Sequence, residues 1–122
     1  MPDITLRVQG SAGLRRALER LRGAERRQAQ QDGLEAGARV IEFHAKRIAP
    51  VDTGALRNSI MLDEVAPERA ILGPHVEYAE YVEFGTSRRG ARPYLRPAVD
   101  EHEREIVAAI EAAVRSFVDG IA

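Results

Sequence analysis

Residues 33–48 read GLEAGARVIEFHAKRI, and this stretch predicts the main part of a long helix. Its apolar residues recur at alternating steps of four and three, which is typical of a helix with one buried face. We expect the helix to run from about residue 24 to residue 48. It ends there because Pro50 pushes the residue before it out of helical geometry. The residues of this apolar stripe are Leu34, Ala38, Ile41, Ala45 and Ile48.

Two glycines, Gly33 and Gly37, lie in the same stretch. Each costs about 1 kcal/mol relative to alanine inside a helix, and Asp32 followed by Glu35 offers a capping box at which the helix could restart. The pair is not a phosphate-binding loop, because the lysine that such a loop requires is absent after Gly37. We interpret the two glycines as a place where another element packs closely against the helix.

The chain before this helix predicts one strand and one short helix. Ile4, Leu6 and Val8 alternate with polar residues, the period of two expected of a half-buried strand. Ser11 is a candidate N-cap for the short helix, which Gly23 ends. Its apolar face comprises Leu14, Ala17, Leu18 and Leu21.

The second half predicts a loop, a hairpin and a final helix. Residues 51–59 are typical of a loop with a single turn capped by Asp52 or Thr53, and residues 59–65 and 69–73 form a candidate hairpin. Residues 75–86 remain ambiguous between helix and extended chain. Pro97 fits the first position of the last helix, whose apolar face is Val99, Ile106, Ile110, Val114, Phe117 and Ile121.

These elements predict the α+β class, with a small antiparallel sheet and its β-hairpin packed against two long helices and one short helix. The length of 122 residues, with 44% hydrophobic and 30% charged residues, predicts one folded domain over residues 1–122. The absence of cysteine excludes thiol chemistry and disulfides. A net charge of −1 argues against a dedicated nucleic-acid binder. We expect no secretory signal and no membrane span, because the longest purely apolar run covers only residues 106–110.

One motif favours catalysis. Residues 51–55 read VDTGA, the active-site signature of retroviral-type aspartic proteases, and residues 71–73 read ILG, which resembles their later apolar element. In such enzymes two aspartates share a proton and activate water. A long helix enters this segment through Pro50, whereas the protease subunit is almost entirely β. We therefore favour an Asp52-Thr53-Gly54 turn and keep the protease as the alternative from another class.

No cofactor or metal site is expected. Glu77, Glu80 and Glu83 recur every three residues but lack nearby asparagine or aspartate ligands. None of the histidines at positions 44, 75 and 102 falls in a two-histidine zinc motif. We predict no catalytic residues. The three glutamates are typical of a solvated face or of salt-bridge partners, and lone histidines are typical of surface or satisfied core residues.

Residues 87–96 carry four arginines and no acid. Three interpretations remain open, namely docking on an acidic neighbouring subunit, contacts to phosphates, and a solvated loop. The acidic stretch at 77–83 comes just before this basic one, so copies of the chain could meet head to tail and close into a ring. The predicted contact residues are Glu77, Glu80, Glu83, Arg88, Arg89, Arg92 and Arg96.

Three stretches in series carry a resemblance to a known family. They are APVDTGALRNSI at residues 49–60, YAEYVEFGT at 78–86 and ARPYLRPA at 91–98. In this order and spacing they resemble the small neck and tail-completion (head–tail joining) proteins of long-tailed bacteriophages and prophages, over roughly residues 11 to 118. The resemblance implies that Phe84-Gly85-Thr86 and residues 92–97 shape a turn before the last helix. We expect Phe84 and Leu95 to be core anchors.

The resemblance also implies a function without catalysis. We expect a structural virion protein that assembles in the cytoplasm of a bacterial host and forms a hexameric ring with copies of itself. Its neighbours would be head-closure, tail-terminator or tail-tube proteins, and DNA would pass through only as cargo. A minor tail or tail-terminator component is the structural alternative. A regulatory or toxin-like binding module is a further alternative that no motif supports.

Overall fold

The computed structural model describes residues 3–7 and 12–121. Along these residues, helices dominate and the strands form one small antiparallel sheet, so the α+β prediction is confirmed. The predicted strand residue Val8 and the predicted cap Ser11 lie outside the described residues. The elements are β1 (Ile4–Leu6), α1 (Ala12–Glu19), α2 (Gly23–Ile48), α3 (Ala55–Ser59), β2 (Met61–Ala66), β3 (Arg69–Gly73), α4 (Ala79–Phe84), α5 (Leu95–Asp100) and α6 (Glu103–Ile121).

Helix α2 is the long helix that the apolar stripe predicts. It runs without interruption for 26 residues, so no restart occurs at Asp32. Four residues of the stripe are buried and Ile48 is half-buried. One face of α2 therefore supplies much of the core, and it packs against α6, α5 and the sheet.

The two glycines of α2 face α6, as close packing requires. A Cβ added at Gly37 would lie 2.8 Å from Cγ1 of Ile110 and 2.9 Å from its Cδ1, and one at Gly33 would lie 3.0 Å from Cγ2 of Val114. Distances below about 3.4 Å are shorter than ordinary contacts between carbon atoms. The interpretation of the glycines as a packing site is confirmed, because Ile110 occupies the space that a side chain at Gly37 would need.

The sheet has the strand order β1-β3-β2, with every pair antiparallel. Leu72 in the central strand pairs with Ile4 on one side and Leu62 on the other. The predicted hairpin is confirmed: β3 has the predicted bounds, whereas β2 covers residues 61–66 instead of 59–65. The register shifts at Asp63, the position of a β-bulge. The buried side of the sheet rests on α2.

The last helix differs from its prediction, because two helices, α5 and α6, replace one. The chain turns at Glu101 and His102, and His102 provides the carbonyl that accepts the first hydrogen bond of α6, from Ile106 at 3.0 Å. No apolar residue occurs between Val99 and Ile106, so no core contact keeps this segment helical. The turn lets α6 lay its own apolar face on α2. That face is buried from Ile106 to Val114, whereas Ile121 is exposed.

None of the described helices combines the length and apolar character needed to cross a membrane.

Gly37→Ala should lower the free energy of unfolding. Overpacking a tight contact costs roughly 1–3 kcal/mol. This cost outweighs the stabilisation of about 1 kcal/mol that alanine gains over glycine from its higher helix propensity. The matched control is Gly120→Ala in α6, where an added Cβ meets nothing within 4 Å; it should be neutral or slightly stabilising. Urea unfolding followed by circular dichroism measures both. Equal stability of the two variants would show that Ile110 moves aside without cost.

Candidate functional site

The loop after α2 is held by a local hydrogen bond. Oγ1 of Thr53 accepts a hydrogen bond from the N–H of Ala55 at 3.2 Å. Gly54 has a φ of 86° just before α3 begins, a conformation that glycine adopts without strain. Leu56 then anchors α3 in the core. The predicted single turn is therefore confirmed, with Thr53 supplying the side-chain oxygen and Asp52 exposed to solvent.

The surroundings of Asp52 are not those of an aspartic protease. The aspartate lies in the loop between α2 and α3, both helices. The second protease-like element, residues 71–73, ends β3, the central strand of the sheet. The protease needs its aspartate held between strands, so the local structure supports the turn.

Residues 75–86, which the sequence leaves ambiguous, contain the short helix α4. Ala79 and Glu83 are buried on its inner side. The outer side carries Tyr81 and Phe84, which are 57% and 70% exposed, and Tyr78 just before the helix is also exposed. The expectation that Phe84 is a core anchor was therefore wrong. The α4 backbone turns its ring outward, while Leu95, the other expected anchor, is buried as predicted.

Glu83 is a buried carboxylate that caps the start of α5. Its Oε1 accepts hydrogen bonds from the backbone N–H groups of Tyr94 at 3.0 Å and Leu95 at 2.9 Å, and its Oε2 accepts one from Arg96 at 3.3 Å. The first N–H groups of a helix have no acceptor within the helix, and an ionised acceptor at this end is favourable. Only 6% of Glu83 is exposed. We therefore remove Glu83 from the predicted contact residues, because its carboxylate bonds within its own chain.

Tyr94 strengthens the same connection. Its ring is completely buried, and its hydroxyl donates to the carbonyl oxygen of Ala79 at 3.4 Å. Burial, and after it the negative charge of Glu83, raises the pKa of Tyr94 far above its ordinary value, so the hydroxyl stays protonated as a donor. The backbone and side chain of Tyr94 thus bind the chain before α5 to α4.

The loop between α4 and α5 is a hydrogen-bonded turn that presents arginines. The N–H of Thr86 donates to the carbonyl of Arg89 at 2.8 Å, and Oγ1 of Thr86 accepts from the N–H groups of Arg88 and Arg89 at 3.2 and 3.1 Å. Gly85 has a φ of 78°, and a Cβ there would lie 2.7 Å from the nitrogen of Ala91. Gly85 and Thr86 therefore shape the turn before α5, as the family resemblance implies.

These segments enclose an open groove of about 630 Å³. One wall is the loop after α2 with the start of α3, the second is Tyr78, Tyr81 and Val82, and the third is the arginine-bearing turn. All three stretches that carry the family resemblance thus contribute to one surface feature. We call it the groove; its lining includes Val51, Asp52, Thr53, Tyr78, Tyr81, Thr86, Arg89 and Arg92.

The groove brings together part of the predicted contact set. Arg89 and Arg92 line it, and Arg88 is exposed on the same turn. Glu77 and Glu80 are exposed beside its tyrosines. Arg96 is exposed on α5, and its Nε lies 3.9 Å from Oδ2 of Asp100. Their role as contacts stays a prediction.

The tyrosines and Thr53 are groove residues that we did not predict from the sequence. The sequence indicated Thr53 only as a turn residue. The only sequence signal of the tyrosines is membership of a resembling stretch, because an ambiguous segment does not show which aromatic rings face solvent.

Comparison with known families identifies one match. The family model described as "Bacteriophage HK97-gp10, putative tail-component" matches residues 12–85, more than half of the chain. The match includes the loop after α2 and α4, and it ends before the third resembling stretch. No curated protein and no solved structure is significantly similar to the chain.

Glu83→Ala should lower the free energy of unfolding by about 3 kcal/mol, because three backbone donors lose a charged acceptor. Glu83→Gln keeps an acceptor oxygen and should cost less, about 1 kcal/mol. The control is Glu77→Ala, an exposed glutamate of the same segment, which should change stability by less than about 0.5 kcal/mol. Urea unfolding measures all three. A Glu83→Ala variant as stable as the control would contradict the capping role.

Proposed function

Because this chain belongs to the HK97-gp10-like family of bacteriophage tail components, we propose that it is a subunit of the neck that joins the phage head to the tail. The family makes it a structural component of the tail and thus of the virion. Within the neck, we propose that six copies form a ring and that DNA passes through its opening. The observation that carries it is the convergence of the three resembling stretches on the groove.

The composition of the groove suits a contact between proteins. Tyrosine and arginine are enriched in protein interfaces and frequently contribute most of the binding energy. Tyr78, Tyr81, Arg89 and Arg92 all line the groove. A tyrosine offers a large apolar area at a small entropic cost, and an arginine offers several donors in a fixed plane. A neighbouring copy with acidic and apolar groups would fit both.

A head-to-tail contact explains how one surface can build a ring. Glu77 and Glu80 lie on the exposed side of the segment that leads to the arginine-bearing turn. If the acidic side of one copy meets Arg88, Arg89 and Arg92 of the next, the same contact repeats in every copy, and a suitable rotation closes it. The remaining surfaces would meet head-closure, tail-terminator or tail-tube proteins.

The charge of the chain suits a conduit for DNA. A net charge of −1 provides no broad basic surface that would release counterions and hold the duplex. We therefore propose that DNA passes through the ring as cargo and is not held by it. We place assembly in the cytoplasm of the bacterial host and expect no catalytic step, since the role needs shape and contacts alone.

A position within the tail itself, as a minor tail or tail-terminator component, is the second candidate. The family description favours it, because it names a tail component. Both positions use the same ring contact and differ in the neighbouring layers.

A phage lacking this gene tests the neck assignment. We expect electron micrographs of its lysates to contain filled heads and separate tails, because the joint between them is missing. Intact virions would contradict the proposal, and filled heads with tails of abnormal length would favour the tail-terminator position. Complementation with Asp52→Asn should restore intact particles, whereas a protease would lose its function.

The arginine-bearing turn is tested in the same complementation assay. Changing Arg88, Arg89 and Arg92 together to glutamate should abolish joined particles and lower the oligomer mass measured by light scattering, because the contact becomes repulsive. The matched control changes three exposed arginines elsewhere, Arg20, Arg27 and Arg104, by the same total charge. Joined particles with the first variant, or an equal loss with the control, would reject this turn as the contact.

A further inference from the structure

Two histidines that are distant in the sequence lie against each other between α2 and α6. The rings of His44 and His102 stack with centroids 3.4 Å apart and planes within 6° of parallel. Glu105 joins them, with its Oε2 at 2.8 Å from Nε2 of His44 and 3.9 Å from Nδ1 of His102. The sequence motifs did not predict this pair, because neither histidine falls in a two-histidine zinc motif.

The backbone explains how this cluster arises. The turn between α5 and α6 puts His102 directly before α6 and Glu105 in its first turn, so the two side chains are three residues apart on one side of a helix. His44 comes two turns after Gly37 on α2, the helix that α6 packs against. In the helical bundles that hold two iron or manganese ions, a glutamate and a histidine spaced by three residues likewise combine with ligands from facing helices.

We infer that His44, His102 and Glu105 form a binding site for one zinc ion or a related first-row transition metal. Their ligand atoms all lie within 4.8 Å of one another. Four-coordinate zinc with bonds of about 2.1 Å separates its ligand atoms by about 3.4 Å, which lies between the 2.8 Å and 3.9 Å that separate Oε2 of Glu105 from the two imidazole nitrogens. Two imidazoles and a carboxylate suit zinc, nickel or copper, whereas calcium and magnesium prefer oxygen ligands alone. Water would complete the coordination.

Binding requires small, local movements. The side chain of His44 is 10% exposed and is the fixed member, while those of His102 and Glu105 are 26% and 55% exposed and have room to turn. The lone pair of an imidazole nitrogen lies in the ring plane, so His102 tilts out of the stack to reach a shared ion. To bind the ion, Nε2 of His44 must present its lone pair. The ring hydrogen of His44 then lies on Nδ1, which is one of the two neutral tautomers of imidazole.

The inferred ion would join the C-terminal part of α2 to the start of α6. It would therefore hold the turn that separates α5 from α6, a part of the fold outside the groove. This inference does not depend on the proposed function, since it concerns only contacts within one chain.

Isothermal titration of the untagged, chelator-treated protein with zinc chloride tests the site. We expect one ion per chain. In a thermal melt with zinc at a hundred times its Kd, the ratio of folded to unfolded protein should rise about 100-fold. Cobalt chloride should produce the visible absorption of a four-coordinate cobalt ion with nitrogen ligands. Failure to bind zinc in a one-to-one ratio would overturn the inference.

Matched variants distinguish this cluster from other residues. Glu105→Gln and His102→Asn should each weaken zinc binding at least tenfold, and both positions are exposed enough to leave the core intact. The control for the carboxylate is Glu103→Gln, an exposed neighbour in the first turn of α6. It should bind zinc like the unchanged protein.

The control for the imidazole is His75→Asn. The Nδ1 of His75 bonds the carbonyl of Ser59 at 2.8 Å and its Nε2 lies 2.7 Å from Asp63. The bond to Ser59, together with the charge of Asp63, raises the pKa of His75. Unchanged zinc affinity in Glu105→Gln, or loss of binding in His75→Asn, would overturn the inferred site.

Discussion

The close approach of α2 and α6 is the constraint on which the other parts of the structure depend. Gly37 admits Ile110 and Gly33 admits Val114, which brings the two long helices into contact along an antiparallel register. Two turns further along α2, the same register brings His44 to Glu105. A larger residue at either glycine would move α6 outward. The start of α6 and the turn before it would then move too, because α6 has its apolar face on α2.

A second constraint is the buried Glu83, which fixes the position of α5 relative to α4. A serine or threonine next to the helix would cap α5 locally, but a glutamate eleven residues earlier in the chain also connects two segments. Its burial fixes how the intervening turn leaves the core. The arginines of that turn are consequently presented from a defined backbone, with Thr86 bonding Arg88 and Arg89. The exposed tyrosines and the arginine-bearing turn therefore belong to one connected unit.

The sequence predicted the elements whose signals are periodic or local. The stripe of α2, the glycine pair, the hairpin and the turn at Thr53 all follow from residues within a few positions of one another. The cap at Glu83 could not be predicted in this way, because the three backbone N–H groups that it binds are too far along the chain for a helical repeat to connect them. Its spacing from Glu77 and Glu80 suggested one solvated face, whereas α4 begins only at Ala79 and turns Glu83 inward. The histidine pair was missed for a similar reason, since it depends on the turn at His102 and on the register of α2 with α6.

In the ring that we propose, stiffness of the single subunit matters more than the strength of any one contact. Each copy repeats the same angle to its neighbour, so an error in that angle accumulates around the circle and prevents closure. The walls of the groove come from three separate stretches of chain, and in the proposed ring their relative position would set this angle. Loops that carry contacts are useful only on a rigid scaffold. The glycine-lined helix pair and the buried Glu83 supply that scaffold. A shift of the helices would break their tight apolar contact, and a shift of Glu83 would leave three backbone donors without an acceptor.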